Sequence, residues 1–246
     1  MNVKTAARTL DLFEAFATSQ KPLSLSELAG VLHMPVSSCF ALVRTLENRG
    51  YVYMLAPRKG IYPTKRLLDI AQNIAVNDLV LERVQPALSA LRDATGETIV
   101  FSKRQADRVV YLDVYEASSS IRYNTQVGEF RLLHSNSVGK AFLGAMEDDQ
   151  LKETLATLEL PRFTSATLTT QKALRADLAL SRERGYYINI NESVADLMGV
   201  AVTVSLAKEL YGITVAGPLY RMQPNLNVNV QAIQAARDTI ESAEYA

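Results

Sequence analysis

Cysteine and histidine are scarce in this 246-residue chain, which has one cysteine, Cys39, and two histidines, His33 and His134. A single cysteine excludes an internal disulfide and a zinc site built from several thiolates. The sequence also has no HExxH motif, no CxxC pair, no glycine-rich phosphate loop and no Ser-His-acid order typical of hydrolases. We therefore predict a protein that is not an enzyme and that uses no metal or cofactor, with His134 as a structural hydrogen-bonding residue.

Long apolar runs and a signal-peptide pattern are also missing. The longest apolar stretch, residues 194–206, contains Asp196 and is too short and too polar to span a bilayer. The first residues pass directly into an amphipathic pattern. We expect a cytoplasmic protein without a membrane segment. At 246 residues, the chain is long enough that two domains are expected.

The formal net charge of zero conceals an asymmetry along the chain. Residues 1–66 hold nine Lys/Arg and four Asp/Glu, a net charge of +5, and the remaining 180 residues hold 17 and 22, a net charge of −5. A basic segment joined to an acidic one indicates a polyanionic partner for the first segment only. Chance is the alternative explanation for a segment this short.

Three helices are predicted in the first fifty residues. Apolar residues at helical spacing place them at Thr5–Thr18, from Leu25 to about His33, and at about Val36–Asn48. Ser24 is a suitable N-cap for the second helix, because Glu27 completes a capping box. Pro35 stops the second helix and suits the start of the third. Gly50 is a suitable residue to end the third helix.

The third helix and the segment after it have features of a DNA-reading element. Its predicted outward face carries Ser37, Ser38 and Arg44; hydroxyls and helix N-terminal amides bind phosphates, and arginine reaches a base edge or a phosphate. Two short strands near residues 51–55 and 61–63 then form a hairpin whose turn carries Arg58 and Lys59. Helix, helix, turn, helix and basic hairpin is the order of a winged helix-turn-helix.

The alternative for this segment is a small helical domain with a solvated charged turn. It requires a proline-marked turn, a glycine-terminated helix and a basic hairpin to coincide, so we favour binding to double-stranded DNA. A module that binds protein or RNA is a further hypothesis, and a basic hairpin without exposed sheet aromatics disfavours RNA. The residues predicted to contact DNA are Ser24, Ser37, Ser38, Phe40, Ala41, Arg44, Thr45, Arg58 and Lys59.

The same segment resembles the DNA-binding domain of the IclR family. Residues 23–52 are similar to the family pattern S-x-x-E-L-A … L-P-K-S-T-x-x-R-L-L-x-T-L-x-x-x-G-Y. Val36 replaces the usual lysine of this pattern, and Ala41 replaces the usual arginine. The departures predict that Arg44 carries more of the contact with DNA in this chain.

After the hairpin the predicted elements change from helices to strands. A helix over Lys65–Asn77 corresponds to the linker helix of the family, and another helix follows at about Val80–Ala94. Strands are predicted at Thr98–Lys103, Arg108–Tyr115, Ser120–Thr125, Val200–Leu206 and Leu210–Ala216, with a closing helix near Asn227–Ala243.

The most specific resemblance lies in the second half of the chain. Residues 132–143, LLHSNSVGKAFL, are similar to the family signature G-x-x-x-P-L-H-A-x-A-x-G-K-A-x-L-A, and residues 184–187 resemble R-x-x-G-[YW]. The resemblance implies an α+β fold with a winged helix-turn-helix at 1–64, a linker helix at 65–78 and a GAF-like α/β effector-binding domain at 79–246. It also implies a transcriptional repressor whose affinity for a DNA operator depends on a small effector, and which forms homodimers or homotetramers.

The loop before the helix at Ser137 is suited to an anion. Free amides at the helix start and the side chains of Ser135, Asn136 and Ser137 supply donors, so a small carboxylate is the expected effector. A serine that merely caps the helix is compatible with this role.

Three departures from the family pattern affect the other predicted wall of the effector site. Val202 replaces the usual cysteine, Leu206 the usual proline and Ala216 the usual serine, which predicts a less polar wall. Two interpretations remain open, an effector more apolar than a two- or three-carbon acid and a degenerate site. Glu192 and Asp196 are either pocket residues or solvated charges. The residues predicted to bind the effector are Tyr111, Gly128, Leu133, His134, Ser135, Asn136, Ser137, Glu192, Asp196, Thr203, Ser205 and Ala216.

Overall fold

The computed structural model describes residues 3–55 and 60–242, which divide into two compact units, Met1–Asp78 and Leu79–Ala246. The predicted wing tip with Arg58 and Lys59 lies outside the described residues. The first unit contains α1 (Lys4–Ser19), α2 (Leu25–Val31), α3 (Val36–Asn48), β1 (Val52–Met54), β2 (Ile61–Pro63) and α4 (Arg66–Ala75). The second unit contains α5 (Leu79–Thr95), β3 (Thr98–Gln105), β4 (Arg108–Tyr115), β5 (Phe130–Leu132), α6 (Ser137–Gly144), α7 (Asp148–Thr157), α8 (Gln171–Arg184), β6 (Tyr187–Ile190), β7 (Leu197–Leu206), β8 (Glu209–Pro218), α9 (Leu219–Met222) and α10 (Leu226–Ser242).

The ends of α2 and α3 follow from local chemistry. The Ser24 hydroxyl accepts a hydrogen bond from the Glu27 amide, and the Glu27 carboxylate accepts one from the Ser24 amide, which confirms the predicted capping box. Pro35 is the N-cap of α3, where its missing N–H costs nothing. After α3, Gly50 adopts a φ of +75°, a left-handed conformation that favours glycine.

A single apolar core holds α1, α2 and α3 to the hairpin. Leu12 and Phe16 of α1, Leu28 of α2 and Val43 of α3 are buried in it together with Ile61 of β2. β1 and β2 pair antiparallel, and Leu23 adds a bridge to Ile61. These contacts fix α3 against α2 with its opposite face in solvent, as in a helix-turn-helix.

A six-stranded sheet in the order β5-β4-β3-β8-β7-β6 forms the centre of the second unit. Every pairing in it is antiparallel. Side chains alternate between the two faces, so Met198, Val200 and Val202 of β7 pack with α5 and α10. Ala201 lies on the other face with the apolar residues of α6 and α8. The sheet is thus covered on both sides by helices.

The predicted strand at Ser120–Thr125 is wrong, and the strand in this region is β5, Phe130–Leu132. Side chains, rather than a neighbouring strand, bind the carbonyls of the predicted segment. The Thr98 hydroxyl donates to the Tyr123 carbonyl at 3.0 Å, and Arg221 Nη2 donates to the Ile121 carbonyl at 3.0 Å. Residues 116–129 therefore form a long loop, named here the strap, whose carbonyls are tied to β3 and α9.

Among the described residues, none of the individual helices has both the length and the apolar character to cross a membrane. Only α2 and α3, counted together across a 107° bend, reach that length and composition.

Candidate functional site

The outer face of α3 is the first candidate site. Of the residues predicted to contact DNA, Ser37, Ser38, Phe40, Ala41, Arg44 and Thr45 are all exposed on this helix. Ser24 is half-buried, and its hydroxyl is the cap of α2. Arg44 pairs with Glu47 one turn later, with 2.8 Å between Nη1 and Oε2. A pair this exposed contributes little to stability, so Arg44 can exchange its partner for an anion at small cost.

The second candidate site is a small cavity in the second unit, between the start of α6 and the sheet. Gly199 of β7 lies opposite Ala216 of β8, and both line the cavity. The remaining lining residues are Tyr111, Tyr123, Arg131, Asn136, Ser137, Val138, Asn189, Ser193, Leu197 and Thr214. A Cβ at position 199 would lie 2.8 Å from the Ser137 hydroxyl, so a larger residue there would displace that side chain. The cavity has a volume of about 20 Å³, enough for about one water molecule.

Two polar groups without hydrogen-bond partners lie at this cavity. Thr214 is 6% exposed, and neither its hydroxyl nor the Nε of Arg131 has a hydrogen-bond partner among the described residues. Unsatisfied buried polar groups are costly, so such groups at a cavity are suited to hydrogen-bond a bound ligand or water. α6 begins here, and the Asn136 side chain caps it by accepting from the Gly139 amide at 2.7 Å. The positive end of the helix adds to the preference for negative charge.

Two tyrosines and an acid surround Arg131 at the edge of the cavity. Arg131 Nη2 donates to the Tyr123 hydroxyl at 3.1 Å and lies 2.6 Å from Glu129 Oε1. The guanidinium lies over the Tyr111 ring at 6.0 Å from its centre. Burial raises the pKa of Tyr111 well above its usual value, so its hydroxyl keeps its proton. The strap residue Tyr123 thereby forms part of the cavity wall.

A buried ion cluster lies beside the cavity. The ammonium of Lys140, a fully buried residue of α6, is 2.7 Å from Glu192 Oε1 and 3.0 Å from Asp177 Oδ2 of α8. Burial raises the pKa of Glu192, and the Lys140 charge opposes this shift. The cluster connects α6, α8 and the loop after β6. In the same loop, Glu192 donates its amide to Asn189 Oδ1, and Asn189 lines the cavity.

Four of the twelve residues predicted to bind the effector line the cavity, namely Tyr111, Asn136, Ser137 and Ala216. Glu192 is 7% exposed and pairs with Lys140, so it is neither a cavity residue nor a solvated charge. Asp196 is exposed in a turn, where its carbonyl accepts from the Leu219 amide. Thr203 and Ser205 follow Gly199 on the same face of β7, but at about 3.3 Å per residue they lie roughly 13 Å or more along the strand.

The other predicted effector residues have structural contacts of their own. His134 is fully buried, and its Nε2 lies 2.9 Å from the Pro161 carbonyl, in a hydrogen bond. The Ser135 carbonyl accepts from Asn189 Nδ2. Leu133 is a core residue, and Gly128 forms an exposed turn with a φ of +82°.

Sequence reasoning missed five polar residues and one glycine of the cavity lining, which are Tyr123, Arg131, Asn189, Ser193, Thr214 and Gly199. Thr214 had a detectable signal, because it is the one hydroxyl in the apolar stretch from Ile213 to Gly217 of β8. Within residues 3–55 and 60–242, no group of three or more His, Cys, Asp or Glu side chains is placed to hold a metal ion.

Family models match most of the chain. Residues 5–55 match the IclR helix-turn-helix domain, and residues 72–242 match the C-terminal domain of bacterial IclR transcriptional regulators. The HTH-type transcriptional regulator BhcR of Paracoccus denitrificans is 31% identical over 240 residues, covering 96% of this chain and 86% of that protein. The transcriptional repressor IclR of Escherichia coli is 25% identical over 242 residues, covering 96% and 88%.

Solved structures share the fold. The IclR protein of Thermotoga maritima superposes with a TM-score of 0.83 at 22% identity, covering 97% of this chain and 98% of that one. An IclR homologue from Microbacterium hydrocarbonoxydans, solved in complex with 4-hydroxybenzoate, gives a TM-score of 0.77 at 19% identity and covers 97% and 98%. The predicted α+β architecture, a helix-turn-helix domain followed by a C-terminal sheet domain, is confirmed. The chain belongs to the IclR family of DNA-binding transcriptional regulators.

Proposed function

We propose that this protein is a repressor that binds operator DNA through α3 and releases it, or binds it more tightly, when an organic acid occupies the cavity beside α6. The observation that carries the proposal is the pair of unpartnered groups, Arg131 Nε and Thr214 Oγ1, at that cavity. The proposed domains are residues 1–64 for DNA binding, 65–78 for the linker helix and 79–246 for effector binding. Catalysis is not part of the proposal, because the one buried histidine, His134, is used in a structural hydrogen bond.

The proposed DNA contacts centre on the first turns of α3. Ser37 and Ser38 are exposed at its start, where free amides also point outward, and both suit phosphates. Arg44 lies two turns further on and reaches a base edge or a phosphate once it leaves Glu47. Arg58 and Lys59 are proposed to contact the phosphate backbone beside the groove.

Two copies of the chain are proposed to bind one operator. Every residue of α4 is exposed or half-buried, including Leu67, Leu68 and Ile74 at 41%, 54% and 68% exposure. Leu10 of α1 is 64% exposed as well. Apolar surface on this scale favours pairing of the two helices with those of a second copy. A symmetric dimer then presents two α3 helices to successive major grooves, and dimers pair further into tetramers.

The proposed effector is a carboxylate with an apolar or aromatic body. The anion accepts hydrogen bonds from Arg131, Thr214 and the start of α6, and the body packs against Tyr111 and Tyr123. Since the cavity holds about one water molecule, effector binding requires neighbouring side chains to move. That displacement is the proposed origin of the change in DNA affinity, and such couplings are typically about 1–3 kcal/mol, or roughly 5- to 150-fold in affinity.

Fluorescence anisotropy of the full-length protein on operator DNA tests both proposed sites. The DNA is a duplex enriched from a random pool by the protein itself, and the probes are acetate, 4-hydroxybenzoate and the neutral 4-hydroxybenzamide. We expect salt-dependent binding that 4-hydroxybenzoate shifts and the amide leaves unchanged.

Arg131→Gln is expected to abolish the shift caused by 4-hydroxybenzoate without weakening DNA binding in its absence. Arg108→Gln is the matched control, because Arg108 lies opposite Leu132 in the same strand pair and is absent from the cavity lining. Equal responses of the acid and the amide contradict the anion site. Binding without preference for any DNA sequence contradicts the proposed role as a repressor.

A further inference from the structure

A large apolar side chain stands in solvent on the DNA-reading helix. Phe40 is 53% exposed and Val36 is 49% exposed, and Ala41 beside them is exposed as well. Val36, Phe40 and Arg44 follow at intervals of four residues, so they lie along one side of α3. The apolar patch therefore continues directly into the basic group proposed to contact DNA.

The position of this patch decides what it fits. Isolated exposed apolar residues are common and need no explanation. Phe40, however, lies in the first half of the helix that follows the helix-turn-helix turn, and that half enters the major groove in proteins of this class. The major groove exposes one apolar group, the C5-methyl of thymine, and phenylalanine and alanine side chains contact it. Val36 and Ala41 enlarge the apolar surface available to such methyl groups.

We propose that Phe40, flanked by Val36 and Ala41, contacts thymine methyl groups in the operator and so determines which bases the protein selects. The proposal rests on the proposed DNA-binding function and adds its basis of specificity. Arg44 and the serines supply polar and phosphate contacts, and Phe40 distinguishes thymine from cytosine and from uracil. A protein partner or a second copy of the chain at the same patch is the competing occupant.

Deoxyuridine substitution isolates the methyl group, because it removes the methyl and leaves the pairing edge of the base unchanged. Full-length protein is first used to enrich duplexes from a random pool. The enriched duplex is then synthesised with deoxyuridine at one thymine position at a time, and its dissociation constant is compared with that of the parent duplex. Wild-type protein is expected to lose about fourfold in affinity for each contacted methyl, the equivalent of burying one methylene-sized group.

Variants at position 40 connect the methyl effect to this side chain. Phe40→Ala is expected to bind the parent duplex roughly tenfold more weakly and to lose most, though not all, of its discrimination between thymine and deoxyuridine duplexes, because Val36 and Ala41 remain. Phe40→Leu restores methyl sensitivity in part. The slope of affinity against salt stays unchanged in both, because phosphate contacts are retained. Val31→Ala is the matched control, since Val31 is 54% exposed on α2 and lines a cleft with the acids Asp11 and Glu14, which repel phosphates.

Three results overturn the proposal. Wild-type protein that is indifferent to deoxyuridine at every position excludes a methyl contact. If Phe40→Ala discriminates between thymine and deoxyuridine as strongly as wild type, another residue makes the methyl contact. If its oligomeric mass also changes, a second copy of the chain is what covers the patch. Failure to enrich any sequence overturns DNA recognition itself, whereas a protein that enriches a sequence but shows no methyl effect loses only this inference.

Discussion

Replacing Lys140 with methionine is expected to destabilise the second unit strongly. Lys140 is fully buried and is the shared cation of Glu192 and Asp177. Methionine fills nearly the same space, so the lost charge is the main change. Removing one member of a buried ion pair costs about 3–5 kcal/mol, because the remaining charge is buried without a partner. At about 3 °C per kcal/mol for a unit of this size, the unfolding midpoint falls by about 12 °C.

The pH dependence of the Lys140→Met variant tests whether Glu192 is the charge left without a partner. Burial raises the pKa of Glu192 above 4.5 even with Lys140 present, and loss of Lys140 raises it further. A carboxyl with a higher pKa in the folded state binds its proton more tightly there than in the unfolded state. Proton binding therefore stabilises the fold fully at pH values below the unfolded-state pKa, and this stabilisation is lost as pH rises through the folded-state pKa. The variant should regain stability on acidification from pH 7 towards about pH 5, and adding Glu192→Gln should restore part of it at pH 7.

Thermal unfolding of the full-length proteins at both pH values is the measurement. Glu192→Gln alone is expected to cost only about 1 kcal/mol, because the amide oxygen still accepts from Lys140 and Asp177 remains. Lys172→Met on the exposed surface of α8 is the control and should stay within about 0.5 kcal/mol of wild type. The reasoning fails if Lys140→Met resembles Lys172→Met, or if Glu192→Gln gives no recovery in the double variant.

Three further changes test the local structure. Ser24→Ala removes the cap of α2 and should cost about 1 kcal/mol in denaturant unfolding, against no change for an exposed serine elsewhere. Gly139→Ala places a Cβ 2.3 Å from the Leu133 carbonyl, so a loss of about 3 kcal/mol and of the response to 4-hydroxybenzoate is expected; wild-type stability would refute the contact. Burial lowers the pKa of His134 below 6.5, so the folded state favours the neutral imidazole. The stability that the neutral ring contributes is present above pH 6.5 and is lost as pH falls. His134→Gln keeps a donor to Pro161 and should flatten the decline between about pH 6.5 and 5, and an unchanged slope would exclude this role.

The helices and most strands could be predicted from the sequence because their signals are local. The capping box at Ser24, the proline before α3 and the alternation along β4 all act within a few residues, and β4 begins and ends as predicted at Arg108–Tyr115. The strap has the sequence of a strand because Ile121 and Tyr123 favour strands, whereas the hydrogen bonds that hold it come from Thr98 and Arg221, far away in the chain.

The cavity could not be predicted in the same way, because strand pairing decides which residues share it. The residues that replace the usual family cysteine and proline, Val202 and Leu206, pack on the α5 and α10 face of the sheet, so those two replacements do not change the polarity of the cavity. Only Ala216 of the three departures lines it. The register instead brings Thr214 opposite Ala201 on the α6 face, and the edge strand β5 adds Arg131. A hydroxyl and a guanidinium thus lie at the cavity together with Ala216, which supports the proposed anion site over a degenerate one.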